Sequence, residues 1–447
     1  MGESREEREG SEGEIFSSST ARNTKGLRRA RVKCHLSLAI DMTAEAKTTT
    51  PKSRRLVCIV NGIYSTQLGG GDIYFSYVAR AAIDAGYSLH CFGGHAFKEY
   101  LERMGIPATV TLTDSRKGDF GSVASLKDQA RLVLDFGKRC WNSLFKLNEI
   151  REDDCVYSMS DFWFDSIPFM LCRARSKIMY LGMMAPTLGE VIMRGRADVT
   201  ASRLNSFYYW ASQQFSLRLF SFSKRKVFTY GHPEMRAYLK RFGYREDELV
   251  DCSNGMDVEV ADRVPSQPKQ FDIAWTGRVH PQKGIDDLLA TIPAMVKRFP
   301  DFRAVIIGKS KDVLAPKIES MGLSQHVTFS GLVSEEEKFR LLKASRLFVM
   351  PSRYESWGIV IGEALAAGVP VVGYDLTCYR PVFGDFMRYV KPFDLNEWLR
   401  TVEQTVAELR AGQNYLDGMK LNEFKQSLSW KTTQRSFQEV LRKMCEC

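Results

Sequence analysis

From residue 55 onward, short apolar runs rich in β-branched residues alternate with longer stretches whose apolar positions recur every three to four residues. RLVCIVNG (55–62), SLHCFGG (88–94), ATVTLT (108–113), CVYSMS (155–160), KIMYLG (177–182), KVFTYG (226–231) and LVDCSNG (249–255) read as strands. Strands this continuously apolar need cover on both faces, which predicts parallel βαβ units. VADRVPSQPKQ (260–270), with two prolines among polar residues, reads as a linker. The alternation then restarts at FDIAWTG (271–277), FRAVIIG (302–308), HVTFSG (326–331), RLFVMPS (346–352) and PVVGYD (370–375), and ends in helical patterns at 394–410 and 429–444. The expected fold class is α/β, with two doubly wound, Rossmann-like domains facing across a cleft. The expected bounds are 55–257 and 258–430, followed by an amphipathic helix at 431–447 packing back on the body. Sheets of this kind bind ligands at the carboxyl ends of their strands, so the chemistry is sought immediately after them.

Composition narrows this picture only a little. A chain of 447 residues exceeds the size at which one core keeps growing, consistent with two domains. The net charge of +10 permits an anionic partner without choosing one. Part of the excess is local, with ten Arg and Lys between Arg194 and Arg241 against Asp198 and Glu234. Residues 1–54, charged and rich in Ser, Thr and Gly, read as a disordered tail. The ten cysteines form no CxxC, and four of them, Cys58, Cys91, Cys155 and Cys252, sit inside strand-like runs, as small core residues of a reducing compartment do. No apolar run approaches the roughly 20 residues that span a bilayer, and the polar start lacks a signal-peptide core. A cytoplasmic protein is expected.

Four strand ends carry candidate chemistry. After FDIAWTG come Arg278 and then Lys283-Gly284, where the helical pattern IDDLLATIPAMVKRF begins. A guanidinium, an ammonium and the free N–H groups of a helix start suit a diphosphate, although two solvated loop cations would read the same way. In PSRYESWGIVIGEALAAGVPVV (351–372), a run apolar enough to be buried holds Glu355 and Glu363 eight positions apart. A buried carboxylate that stays ionised needs a partner. A helix starting near Trp357 or Gly358 places Glu355 at the cleft rim and Glu363 one to two turns in, among Ile361, Ala364 and Leu365. Glu363 then suits the vicinal hydroxyls of a ribose, and Glu355, beside the N–H groups of Ser356, Trp357 and Gly358, suits sugar hydroxyls. Two glutamates merely favoured by the helix dipole are the alternative. Asn61-Gly62 ends the first strand, and Gly69, Gly70 and Gly71 open a helix where backbone can approach a phosphate, or simply turn. SNGMD (253–257), at the end of the first half, is first of all a turn.

Taken together, GRVHPQKG, the E-x7-E stretch, SNGMD and the glycine loop resemble the GT-B glycosyltransferases of the large retaining family often called family 4, which includes glycogen and sucrose synthases and mannosyltransferases. The resemblance covers most of residues 55–444. It implies a GT-B fold whose C-terminal domain binds a nucleotide-diphosphate sugar as co-substrate, with no other cofactor and no metal. Arg278 and Lys283 would hold the diphosphate, Glu363 the ribose, and Glu355 the donor sugar with help from the Ser356–Gly358 amides. SGLVSEEE (330–337) would meet the base through Gly331 and Val333, while Gly70 and Gly71 approach from the other domain. Glu355, Arg278 and Lys283 would carry catalysis by positioning and by stabilising the leaving diphosphate.

One departure concerns a histidine that many relatives carry after the strand KIMYLG, where this chain has Gly182 and Met183. His95 and His232 are the nearest histidines at strand or helix edges, and each reads as structural. LNSFYYWASQQFSLRLFSF, between Arg203 and Arg225, fits either a core helix or a basic amphipathic helix touching an anionic membrane, which would make 194–241 a peripheral contact. Glycans, lipid-linked molecules and small molecules all remain open as acceptors. A same-fold epimerase and an inactive scaffold remain as alternatives. No nucleic-acid motif accompanies the basic charge, so nucleic acid is not an expected partner.

Overall fold

The computed structural model describes residues 54–63, 69–114, 126–185, 188–189 and 203–445. The tail expected over 1–54 therefore lies outside the described residues, apart from Arg54.

Seven strands, β1 (Arg55–Val60), β2 (Ser88–Gly93), β3 (Thr109–Leu112), β4 (Cys155–Ser158), β5 (Ser176–Leu181), β6 (Arg225–Tyr230) and β7 (Leu249–Asp251), form one sheet in the order β3-β2-β1-β4-β5-β6-β7. Every pairing is parallel, with β1 held between β2 (Cys58 opposite Cys91) and β4 (Cys58 opposite Tyr157). The strand alternation explains why β1 is apolar throughout. Leu56, Cys58 and Val60 pack with Tyr74, Phe75 and Val78 of the helix Gly70–Asp84 and with Phe437 and Leu441 of the last helix. Val57 and Ile59 point the other way, toward Phe169, Leu217 and Phe220 of the helices Trp163–Leu171 and Arg203–Ser221. Both faces are thus closed, as near-continuous apolar strands require.

The second sheet runs β10 (Val327–Gly331), β9 (Ala304–Ile307), β8 (Phe271–Thr276), β11 (Ser345–Met350), β12 (Val371–Tyr374) and β13 (Met387–Val390), again all parallel. In each sheet the strand order reverses beside the first strand, between β1 and β4 and between β8 and β11. Successive connections leave in opposite directions there and open a crevice at the carboxyl edge.

SNGMD lies where the chain crosses between the sheets. Met256 N–H donates to the Leu428 carbonyl at 2.8 Å, and Trp430 N–H donates back to Met256 O at 3.4 Å. A Cβ on Gly255 would lie 2.6 Å from Trp430 N, so glycine is what lets the two passes touch. The returning chain becomes the helix Trp430–Cys445, whose Trp430, Phe437, Val440, Leu441 and Met444 are buried in the core of the first sheet. Each such side chain contributes roughly 1.5–3 kcal/mol. Trp430 also stacks on Tyr77, with ring centroids 4.2 Å apart.

The helix Arg203–Ser221 resolves one ambiguity in the sequence. It buries Tyr209, Gln213, Leu217 and Phe220, as a core helix does, yet leaves Phe207 and Phe215 exposed. The surrounding positive charge is partly neutralised within the fold: Lys226 pairs with Glu248 at 3.0 Å, and Arg236 and Lys240 share Glu246. Arg194 and Arg196 fall outside the described residues. Eight cysteines are described, seven of them buried, and all are free thiols. Among the described residues, no helix is long and apolar enough to cross a membrane.

Candidate functional site

The loops that follow β8 and β11 are stitched together at the switch point of the second sheet. After β8 the chain makes a single turn at Pro281–Lys283, and Gly284, at φ 63°, both ends that turn and caps the helix Ile285–Arg298. Only glycine fits there, because a Cβ would lie 1.8 Å from the Pro351 carbonyl oxygen. Arg353 N–H donates to the Gln282 carbonyl at 2.8 Å, and Gln282 Nε2 donates to the Tyr354 carbonyl at 2.8 Å. That backbone register brings Lys283 Nζ onto Glu355 Oε1, an oxygen that also accepts from Ser352 Oγ at 2.8 Å. The two side chains are 16% and 10% exposed. The second carboxylate oxygen of Glu355 makes no hydrogen bond among the described residues.

The helix Ile359–Ala366 starts one residue past the left-handed Gly358 (φ 92°), a turn that suits glycine. Trp357 is buried against Phe383, ring centroids 5.2 Å apart, so its indole anchors the loop. The N–H groups of Ser356, Trp357 and Gly358 form no hydrogen bond among the described residues, as expected just before a helix begins. They lie directly after the Glu355 carboxylate.

Glu363, one turn into that helix, is buried and accepts from Lys338 Nζ at 2.8 Å. Lys338 belongs to the helix Glu335–Lys343, which follows β10 and is capped by Ser334 Oγ accepting from Glu337 N–H at 3.2 Å. Burial pushes the Glu363 carboxyl up, and Lys338 opposes that push. Burial works against the Lys338 ammonium too, but the charges of Glu363 and Glu335 outweigh it and hold it above the usual lysine range. We read the pair as ionised, because two carboxylates converge on one ammonium.

Gly331 ends β10, and Val333 lies between it and that capped helix. Gly331 faces open space, and Val333 packs at the edge of the core that contains Trp357. From the first sheet, Gly70 comes against the start of the Ile359 helix, where a Cβ would stand 3.2 Å from Ile359 Cδ1. Gly71 is exposed beside it. Asp72 accepts from Gly69 N–H at 2.6 Å, and burial raises its pKa while that bond and the Arg278 charge pull it down. The exposed Arg278 therefore sits within electrostatic range of the opposite domain. Tyr354 Oη completes the bridge, donating to the Met184 carbonyl at 3.4 Å.

Lys283, Ser352 and Glu355 are thus joined where the loops after β8 and β11 meet, Glu363 is paired separately with Lys338, and Gly70 lies against the start of the Ile359 helix. The sequence left the glutamates' partners to sugar and ribose hydroxyls, whereas within the chain each is matched by a lysine. Lys338 and Ser352 were missed altogether. His95 is not part of this group: it pairs through Nδ1 with Asp114 at 2.5 Å, beside Arg139. His232 is buried just past β6, its Nδ1 has no partner among the described residues, and desolvation lowers its pKa to about 4.

Residues 259–407 match the family Glycosyl transferases group 1. The phosphatidyl-myo-inositol mannosyltransferase of Mycobacterium tuberculosis is 34% identical over 144 residues, 31% of this chain and 38% of that protein. The D-inositol 3-phosphate glycosyltransferase of a Mycobacterium species (strain KMS) is 30% identical over 152 residues, 31% of this chain and 33% of that one. The chain thus spans well under half the length of these curated relatives. Among solved structures, Anabaena Alr3699/HepE in complex with UDP and glucose superposes with a TM-score of 0.58 at 18% identity, covering 87% of this chain and 100% of that one. Sucrose-phosphate synthase (tll1590) from Thermosynechococcus elongatus gives 0.61 at 17%, covering 87% and 98%. At these identities the likeness is one of fold, and the fold is GT-B. The resemblance drawn from the motifs is borne out.

Proposed function

We propose that this chain, whose second sheet carries a domain of the glycosyl transferases group 1 type, is a retaining glycosyltransferase. It moves a hexosyl unit from a nucleotide-diphosphate sugar to a hydroxyl of a glycan, lipid-linked or small-molecule acceptor. The observation that carries the reading is the Lys283–Glu355 pair beside unpartnered amides at a helix start, in the crevice between β8 and β11. Lys283, Arg278 and the helix N-terminus stabilise the diphosphate as it leaves. Glu355 and the Ser356–Gly358 amides hold the sugar hydroxyls, Glu363 holds the ribose, and Gly331 and Val333 flank the base. Gly70 and Gly71 let the first domain's backbone close on the phosphate or acceptor.

In the reaction the bond from the anomeric carbon to the diphosphate oxygen breaks, and its electron pair leaves with the nucleotide. The acceptor oxygen bonds to that carbon on the same face, and its proton passes to the leaving phosphate oxygen. Positioning and electrostatics supply the rate, and no resident cofactor enters this scheme. Seven buried free thiols fit a reducing, cytoplasmic setting.

The test is a panel of UDP-, GDP- and ADP-sugars scored for binding and slow hydrolysis, followed by Lys283→Ala and Glu355→Ala on the donor that binds. Each variant is expected to lose at least about tenfold in turnover while remaining folded. Wild-type turnover in both variants would sink the site assignment. Binding of a nucleotide sugar with neither hydrolysis nor transfer would point to an inactive scaffold, and conversion of the sugar without its release would point to an epimerase.

A further inference from the structure

We infer that the helical layer on one side of the first sheet is a docking face for an anionic lipid bilayer, centred on the helix Leu126–Phe145. On that helix Lys127, Arg131, Leu134, Lys138, Trp141 and Phe145 follow one another at spacings of four, three, four, three and four, which places them on a single stripe. All six are exposed, and the apolar ones strongly so: Leu134 is 68%, Trp141 60% and Phe145 69% accessible. The opposite face holds the helix to the fold through Phe136, Cys140 and Ser143, all buried, and through Arg139, which donates to the Ile63 carbonyl at 2.7 Å. Asp135 sits off the stripe and pairs with Arg139 at 2.6 Å. A solvated helix face would be polar, and one that binds a partner through apolar contact alone would not interleave cations with aromatic rings.

The apolar exposure continues beyond this helix. The helix Trp163–Leu171 packs next to it and ends on the exposed Leu171, and the helix Arg203–Ser221 packs next to that, with Phe215 and then Phe222 exposed. The segment 194–241, which the sequence singled out for membrane contact, thus supplies the far edge of the surface rather than its centre. Exposed apolar side chains spread across three adjacent helices suit a flat, yielding surface better than a grooved one. Rings and aliphatic tips at headgroup depth, with Lys and Arg reaching anionic phosphates, form an interfacial arrangement.

The experiment is flotation of the full chain with phosphatidylcholine vesicles, with and without phosphatidylglycerol, at low and high salt. Wild type is expected to float with the phosphatidylglycerol vesicles, and less so in high salt. The double variant Trp141→Glu/Phe145→Glu and the triple variant Lys127→Glu/Arg131→Glu/Lys138→Glu should each reduce the bound fraction roughly tenfold or more. Met419→Glu, at an exposed apolar position away from this layer, should not. Circular dichroism and donor hydrolysis are measured on every variant, so that a folding defect, or failure of the catalytic reading, registers separately. Absence of wild-type binding, equal binding to both vesicle types, or wild-type binding by the stripe variants overturns the inference. So does a halved mass in solution for Trp141→Glu/Phe145→Glu, which would make the stripe a contact between copies.

Discussion

Lys338→Met isolates the buried charge pair behind the Ile359 helix. In the native chain Lys338 Nζ lies 2.8 Å from Glu363 Oε1 and 2.5 Å from Glu335 Oε2. Glu335 is exposed, so that arm contributes little, on the order of 1 kcal/mol or less. Glu363 is buried, and methionine would preserve the packing of the lysine stem while removing the charge. Stranding a buried carboxylate costs about 3–5 kcal/mol, unless the group escapes by taking up a proton. That escape fixes the sign of the pH dependence. Burial already raises the Glu363 carboxyl, and loss of Lys338 raises it further, so the folded variant binds a proton where the unfolded chain does not. Stability of the variant must therefore fall as pH rises from the unfolded glutamate value through the raised folded one.

Urea unfolding followed by tryptophan fluorescence, with Trp275, Trp357 and Trp398 all buried in the second domain, reads this directly. The gap to wild type should be widest near about pH 8 and narrow toward about pH 5. Lys338→Met/Glu363→Leu should recover most of the stability, because neither charge is then stranded, yet the donor KM should stay high because the ribose acceptor is gone. A Lys338→Met loss under about 1 kcal/mol near neutrality would refute the reasoning, as would a gap that widens on acidification.

Gly284→Ala places a Cβ against the Pro351 carbonyl at a positive φ, so the two loops must separate. Donor KM should rise and the melting temperature fall together, with about 1–2 kcal/mol from the backbone conformation alone. His232→Gln should flatten the acid limb of the stability curve. Burial holds the His232 imidazole at a pKa of about 4, so the folded chain binds fewer protons than the unfolded one between there and the usual histidine range, and native stability falls as pH drops through that window. A urea midpoint as acid-sensitive in the variant as in wild type would remove His232 from that account.

How much of this was legible in the sequence follows from where burial is two-sided. β1, β5, β8 and β11 are closed on both faces, so their apolar runs stand out from any neighbouring helix. β13 was not recognised, because MRYV is a short edge strand whose Arg388 and Tyr389 are only half-buried. The crevice loops could be read because anion-binding residue types cluster where strands end. Lys338 could not: in SEEEK it has the pattern of a solvated helix end, and only the packing of that helix on the Ile359 helix turns it inward. The exposed stripe of the Leu126–Phe145 helix was equally hidden, since LKDQARLVLDFGKRCWNSLF has apolar residues on two faces and tertiary packing decides which one is covered.

The two lysines bear on how a dianionic donor can bind beside two glutamates at all. A carboxylate adjoining a diphosphate repels it, and in a partly desolvated crevice that repulsion is only weakly screened. Lys283 on Glu355 and Lys338 on Glu363 cancel both charges in place, leaving Arg278 and the helix N-terminus as the net positive field. Lys283→Ala therefore does two kinds of damage, removing a cation from the diphosphate and uncovering the charge of Glu355. Glu355→Ala loses a sugar contact but frees Lys283 for the phosphates. Affinity for the nucleoside diphosphate alone, measured by calorimetry, should thus fall for Lys283→Ala and hold or rise for Glu355→Ala. The double variant should bind the nucleoside diphosphate better than Lys283→Ala does, because the uncovered carboxylate is gone. If the double variant instead binds the nucleoside diphosphate no better than Lys283→Ala does, Glu355 does not face the diphosphate and the lysine is not shielding it.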